Sequence, residues 1–201
     1  MAKMKKAVSL VFLLILVLAF GSPSHGASEQ FKGRIYSLDG LKATETQARL
    51  KVGDRAPDFT LSSIKGEKVS LGGYIGKKNV VLSFVPAAWT PVCSEQWPGY
   101  NILKDEFDNQ NAVLIGITTD NVPTLFAWTE QMGGVWFPVL SDFWPHGEVS
   151  QKYGVLRSSG VSERALFIID KKGIVRYIDV HDINERPNTE LLLNQLKKLK
   201  K

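Results

Sequence analysis

Three short runs of β-branched and other apolar residues punctuate the chain: "NVVLSFV" (79–85), "AVLIGITT" (112–119) and "ALFIID" (165–170). Each has strand length and little polar alternation, the pattern of a strand covered on both faces. Between them the period changes. "SEQWPGYNILKDEF" (94–107) sets Trp97, Tyr100, Leu103 and Phe107 at mostly helical spacing, with Pro98 early in the helix or kinking it. "DNVPTLFAWTEQMGG" (120–134) predicts a second helix, with Asn121 as N-cap, Pro123 in the first turn and Gly133 and Gly134 as the stop. "WFPVLSD" (136–142) predicts a short strand, "EVSQKYG" a short helix ended by Gly154, and "IVRYIDV" (174–180) a strand joined to the preceding run through the turn "KKG". "NTELLLNQLKKL" (188–199) closes the chain as an amphipathic helix, and "APDFTLSSIKGEKVSL" (56–71) holds two strand-like pieces around Gly66.

Alternating buried strands and helices predict an α/β fold, and the late strand-turn-strand adds an antiparallel pair. The central β-sheet is therefore mixed and flanked by helices, in an order that matches a thioredoxin-like fold. This core is expected over residues 51–201, preceded by a leader of mixed polarity at 28–50. No internal repeat or low-complexity tract interrupts it.

Residues 1–27 follow a different rule. "MAKMKK" is basic, Ala7–Phe20 is a 14-residue apolar run, and "GSPSHGA" supplies helix breakers and small residues near Gly26 and Ala27. That order predicts a signal peptide, because the apolar run falls short of the ~18–20 residues that span a bilayer. No cysteine lies near the cleavage site, which excludes a lipid-modified amino terminus. The mature protein is expected outside the cytoplasm, in the periplasm.

Charge changes meaning once this segment is set aside. The full chain carries +5, but residues 1–27 take Lys3, Lys5 and Lys6 with them and leave 22 basic against 20 acidic residues. The cluster "KKLKK" (197–201) ends a helix, where cations complement the dipole. Nucleic acid is not indicated as a partner. One cysteine and two mature histidines, His146 and His181, offer no zinc spacing, so no metal is expected.

The single cysteine, Cys93, follows a buried strand and opens a helix. Free N–H groups and the positive end of the helix dipole there favour a thiolate. Thr90 supplies a hydroxyl three residues earlier, and it also suits a helix cap; Pro86 supplies an apolar wall without an N–H. Exported proteins usually pair their cysteines, and a lone one cannot bridge within the chain. It is a buried inert residue, a link to another chain, or a working thiol.

Pro86, Thr90 and Cys93 form the P-x-x-x-T-x-x-C motif, and with "VGDRAPDFTLSS", "SDFWPHGEVSQKYGV" and "SERALFIIDKKGIVRY" they give a sequence that resembles the peroxiredoxins. These are the alkyl hydroperoxide reductase and thiol-specific antioxidant family. The chain is similar to its one-cysteine branch and, through "SDFWPHG", to the alkyl hydroperoxide reductase E group. The resemblance implies that Cys93 is the peroxidatic nucleophile, that Thr90 positions the peroxide, that Pro86 shields the sulfenic acid, and that Arg164 stabilises the thiolate. It implies a small peroxide substrate, an external thiol reductant (a small thiol or a thioredoxin-like protein), no cofactor, and a homodimer. Where many relatives carry glutamate three residues after the cysteine, this chain has Gln96, with Glu95 beside it, and neither receives a role.

Blander readings compete at each position. Arg164 alone suits a surface ion pair, His146 a loop or helix start, Trp128 and Trp136 the core, and Phe143 and Trp144 the core or a subunit contact. An envelope thiol-disulfide oxidoreductase needs C-x-x-C, and here Thr90 and Gln96 flank Cys93 at that distance. A non-catalytic thioredoxin-fold binding protein would leave Cys93 unreactive.

Overall fold

A computed structural model describes residues 30–37 and 40–200, so the expected signal segment lies outside the described residues. The elements are β1 (Thr60–Ser63), β2 (Lys68–Ser70), β3 (Asn79–Phe84), α1 (Pro91–Asn101), α2 (Lys104–Asn109) and β4 (Ala112–Thr118). They continue with α3 (Val122–Gln131), β5 (Val139–Ser141), α4 (Glu148–Tyr153), β6 (Arg164–Ile169), β7 (Val175–His181) and α5 (Thr189–Lys197). Seven strands form one mixed sheet in the order β2-β1-β5-β4-β3-β6-β7. The three central strands β3, β4 and β5 run parallel, while β6 and β7 are antiparallel to their neighbours.

The apolar runs end up where two-sided burial puts them. Every residue of β3, β4 and β6 is buried. Side chains alternate between two cores, as a strand's period of two requires. Val81, Leu114, Leu166 and Ile168 pack with Trp97, Trp128 and Leu192 of the helices on one face. Val80, Leu82, Ile115, Phe167 and Ile169 pack with Phe59, Val149 and Tyr153 on the other. Each such side chain contributes roughly 1.5–3 kcal/mol when fully buried.

Gly116 of β4 is required by close approach. A Cβ there would stand 2.6 Å from the Trp97 ring, so the missing side chain is what lets the indole lie against the strand. Trp97 in turn fixes α1, the helix that carries Cys93, onto the sheet.

Several expectations are corrected in detail. The helix expected across 94–107 is two helices, α1 and α2, separated at Ile102–Leu103, with Pro98 inside the first. The strand expected over 136–142 shrinks to Val139–Ser141. Trp128 is fully buried, but Trp136 is only partly so, donating its indole N–H to the Tyr100 carbonyl at 3.0 Å. Phe143 and Trp144 are not core residues; they are 47% and 70% exposed.

Residues 40–50 run across the body. The Arg49 N–H donates to the Tyr153 carbonyl, and Glu45 and Thr46 both donate backbone N–H groups to the Glu163 carboxylate. The other Glu163 oxygen meets Arg157 Nη1 at 2.6 Å, and neither side chain of this pair is exposed. Arg157 also donates to the Lys42 carbonyl.

Candidate active site

β3 delivers the chain into a loop, residues 86–90, and α1 begins at once. Thr90 takes the extended backbone of an N-cap, with Pro91 at the first helical position, whose missing N–H is no loss there. Cys93 falls in the first turn, where backbone N–H groups have no partner within the helix. The Thr90 hydroxyl does not cap the helix: it donates to the Ala87 carbonyl at 2.8 Å.

The loop is held from several sides. The Ala88 N–H donates to the Asp120 carboxylate at 2.8 Å. Trp89 sits at φ 60°, a left-handed conformation costly for a bulky residue. Its carbonyl accepts from the Tyr36 N–H at 2.8 Å and its ring meets Phe31 edge-on at 5.9 Å. Asp120 and the leader thus hold the loop in a shape that local sequence would not choose.

Arg164 comes from the first position of β6, the strand beside β3, so it reaches the same end of the sheet as the loop. It is 1% exposed. Its Nη2 lies 3.4 Å from Cys93 Sγ, and its Nε and Nη2 donate to the Ile183 carbonyl at 3.2 and 2.8 Å. Its Nη1 donates to the Gln96 side-chain oxygen. Among the described residues no carboxylate forms an ion pair with this buried guanidinium.

Gln96 is buried one helical turn below Cys93, on the same side of α1. Its amide nitrogen donates to the Tyr100 hydroxyl at 3.1 Å and to Ser83 Oγ at 3.3 Å. Burial pushes the Tyr100 phenol up to about 12, against the opposing pull of hydrogen bonds from Gln96 and Ser83 and of the Arg164 charge. Glu95 points outward and faces Arg186 at 3.7 Å.

Pro86, Thr90, Cys93 and Arg164 therefore line one pocket. Val92, Leu41 and Ile183 complete its apolar side, and Ser37 and Asn184 stand exposed around it. Cys93 lines this pocket from a buried position, with 0% of its surface exposed. His146 lies elsewhere, in a loop, edge-on to Trp144. Among the described residues no group of three or more His, Cys, Asp or Glu side chains is placed to hold a metal ion.

Three contributors escaped the sequence reading. Gln96 carried a signal, since its i+3 spacing from Cys93 places both on one side of a helix. Ile183 acts through a backbone carbonyl and leaves no signal in residue type. The Glu163–Arg157 pair lies next to Arg164 in the chain, but its partners at 42–46 are more than 110 residues away.

Comparison with known proteins agrees with this geometry. The AhpC/TSA family profile matches residues 52–178. Alkyl hydroperoxide reductase E of Mycobacterium bovis is 41% identical over 137 residues, which cover 68% of this chain and 89% of that protein. A chloroplastic 2-cysteine peroxiredoxin of Chattonella marina var. antiqua is 32% identical over 156 residues, 73% of this chain and 79% of the relative. The crystal structure of reduced 2-Cys peroxiredoxin from Plasmodium vivax superposes with a TM-score of 0.69 at 30% identity, covering 74% of this chain and 81% of that one.

Proposed function

We propose a mechanism from one premise: the chain belongs to the AhpC/TSA family and is a thiol-dependent peroxidase with a thioredoxin-like fold. Cys93 is the peroxidatic nucleophile. The observation that carries this assignment is the 3.4 Å approach of Arg164 Nη2 to Cys93 Sγ in a pocket that Thr90 and Pro86 also line.

The thiolate attacks one peroxide oxygen along the O–O axis. An S–O bond forms, the O–O bond breaks, and the departing oxygen leaves with the electron pair and takes a proton to become water or an alcohol. Arg164, fixed by the Ile183 carbonyl and Gln96, stabilises the thiolate and then the charge growing on the leaving oxygen. The Thr90 hydroxyl, already aimed by the Ala87 carbonyl, orients the peroxide, and Pro86 keeps water from the product sulfenic acid.

The chain holds one cysteine, so no internal thiol resolves that acid. An external thiol condenses with it, releasing water and leaving a mixed disulfide; a second thiol then frees Cys93. Protein stripped of small thiols should consume about one peroxide per chain and stop. A suitable thiol should restart it, and prior excess peroxide should block the restart by carrying Cys93 to the sulfinic state. Sustained turnover without reductant, or an active Cys93→Ser protein, would refute the mechanism.

Two further assignments belong to this reading. Residues 1–27 direct export to the periplasm, supported by the basic, apolar and small-residue order of that segment. Amino-terminal sequencing of native protein should begin between Gly26 and Ser28. The protein acts as a homodimer, supported by the exposed Phe143 and Trp144. Sedimentation at micromolar concentration should give twice the mass of the mature chain, and Trp144→Asp should return it to the monomer.

A further inference from the structure

The pocket is assembled from two sources. Pro86, Thr90, Val92, Cys93 and Arg164 lie within residues 52–178, the segment matched by the family. Ser37, Leu41, Ile183 and Asn184 lie outside it, on the two flanks of the chain. The inner, reacting groups therefore come from the shared domain. Much of the remaining wall is supplied by segments outside the matched residues.

That wall is not a loose tail. Glu163 accepts from the backbone N–H groups of Glu45 and Thr46 at 2.7 and 2.6 Å, and Arg157 donates to the Lys42 carbonyl at 2.8 Å. The Ala43 carbonyl accepts from the Ile183 N–H at 2.8 Å. Leu41, half-buried, is the apolar side chain that this strap of residues 41–46 presents to the pocket. Val92 and Pro86 line the same pocket, so a peroxide that reaches the buried Cys93 shares a small space with these apolar side chains as well as with Thr90 and Arg164.

We propose that Leu41 is a specificity-determining residue that selects peroxides by the bulk of the group beyond the O–O bond. The proposal rests on the peroxidase reading and adds to it a residue outside the family-matched segment. Hydrogen peroxide and slender hydroperoxides pass the wall; branched or aromatic hydroperoxides meet Leu41.

The test measures single-turnover oxidation of Cys93 in the purified full protein, followed by mass spectrometry, with hydrogen peroxide and with cumene hydroperoxide. The readout is the ratio of the two rates. Leu41→Ala should shift the ratio toward cumene hydroperoxide by about five- to ten-fold, and Leu41→Trp should shift it the other way, the scale set by removing or adding a few carbons in an apolar pocket. In parallel, Cys93 is alkylated with iodoacetamide and with N-phenylmaleimide, and the ratio of those rates should move in the same two directions. Movement of the alkylation ratio in a protein that no peroxide oxidises would support Leu41 as the size filter and overturn the peroxidase reading. Both ratios unchanged within about two-fold in both variants, with peroxide oxidation intact, would overturn the proposal.

Discussion

Replacing Glu163 with glutamine tests whether the buried ion pair holds the strap. The exchange preserves shape. Oε1 still accepts from Glu45 and Thr46, but the oxygen facing Arg157 Nη1 at 2.6 Å becomes an amide NH₂ that cannot accept. Both side chains are fully buried, so the Arg157 guanidinium loses its counter-charge without gaining water. Breaking such a pair from one side costs about 3–5 kcal/mol. The Glu45 carboxylate, 3.5 Å from Arg157 Nε and partly exposed, remains and moves the expectation to the lower end, about 3 kcal/mol. In urea that corresponds to a midpoint lowered by on the order of 1–2 M with an unchanged slope. Hydrogen exchange should quicken at the Glu45 and Thr46 amides more than at those of β3. The double variant Arg157→Met, Glu163→Gln should recover part of the loss, because no uncompensated charge stays buried. A Glu163→Gln protein within about 1 kcal/mol of wild type would refute the reasoning and leave the strap held by its other contacts.

Arg164→Ala should slow single-turnover oxidation of Cys93 by about 10²–10³-fold, the usual loss when one positioned donor is removed, and an unchanged rate would end its assignment. Thr90→Val keeps the shape and deletes the hydroxyl, so oxidation should fall by about ten-fold or more; equal rates would leave Thr90 only its place at the helix start. Gly116→Ala should lower stability by about 1–3 kcal/mol, since the new Cβ would overlap the Trp97 ring, and an unchanged melting temperature would contradict that packing. Stability should fall as pH rises from about 10, where unfolded tyrosine ionises, to about 12, where Tyr100 does so in the fold, because the unfolded chain releases its proton first. Tyr100→Phe should make that fall shallower without abolishing it, because burial also raises the Tyr153 phenol, and an alkaline profile identical to wild type would show that Tyr100 contributes nothing to it.

The sheet was legible because β3, β4 and β6 are buried on both faces, which leaves apolar runs of strand length rich in β-branched residues and bounded by turn signals. The break between α1 and α2 was not legible: Leu103 and Phe107 continue the helical spacing through Ile102, and only the three-dimensional course of the chain interrupts it. At the site, Pro86, Thr90 and Cys93 lie within eight residues and Arg164 heads a readable strand, so motif and element order sufficed to nominate them. Arg164 is held 3.4 Å from the sulfur by Gln96 and by a backbone carbonyl, that of Ile183, and carbonyls have no residue signature. Trp89 illustrates the same limit. Its left-handed backbone is imposed by Asp120, Phe31 and Tyr36, contacts that span 32 to 58 positions and that no local propensity encodes.

The strap also sets a timetable. Chains emerge and fold from the amino terminus onward. Residues 41–46 are among the first of the described segments to appear, yet their partners Arg157, Glu163 and Ile183 are among the last. The contact from Glu45 to Glu163 spans 118 positions, and closing so long a loop is a slow, late event in folding. Ile183, which fixes Arg164, is itself tied to the strap through Ala43. Until that closure the Ile183 carbonyl does not have its place beside the guanidinium, and the pocket around Cys93 lacks its Leu41 side. The pocket is thus among the last parts of the domain expected to be completed, since its two sides are contributed from opposite ends of the described chain.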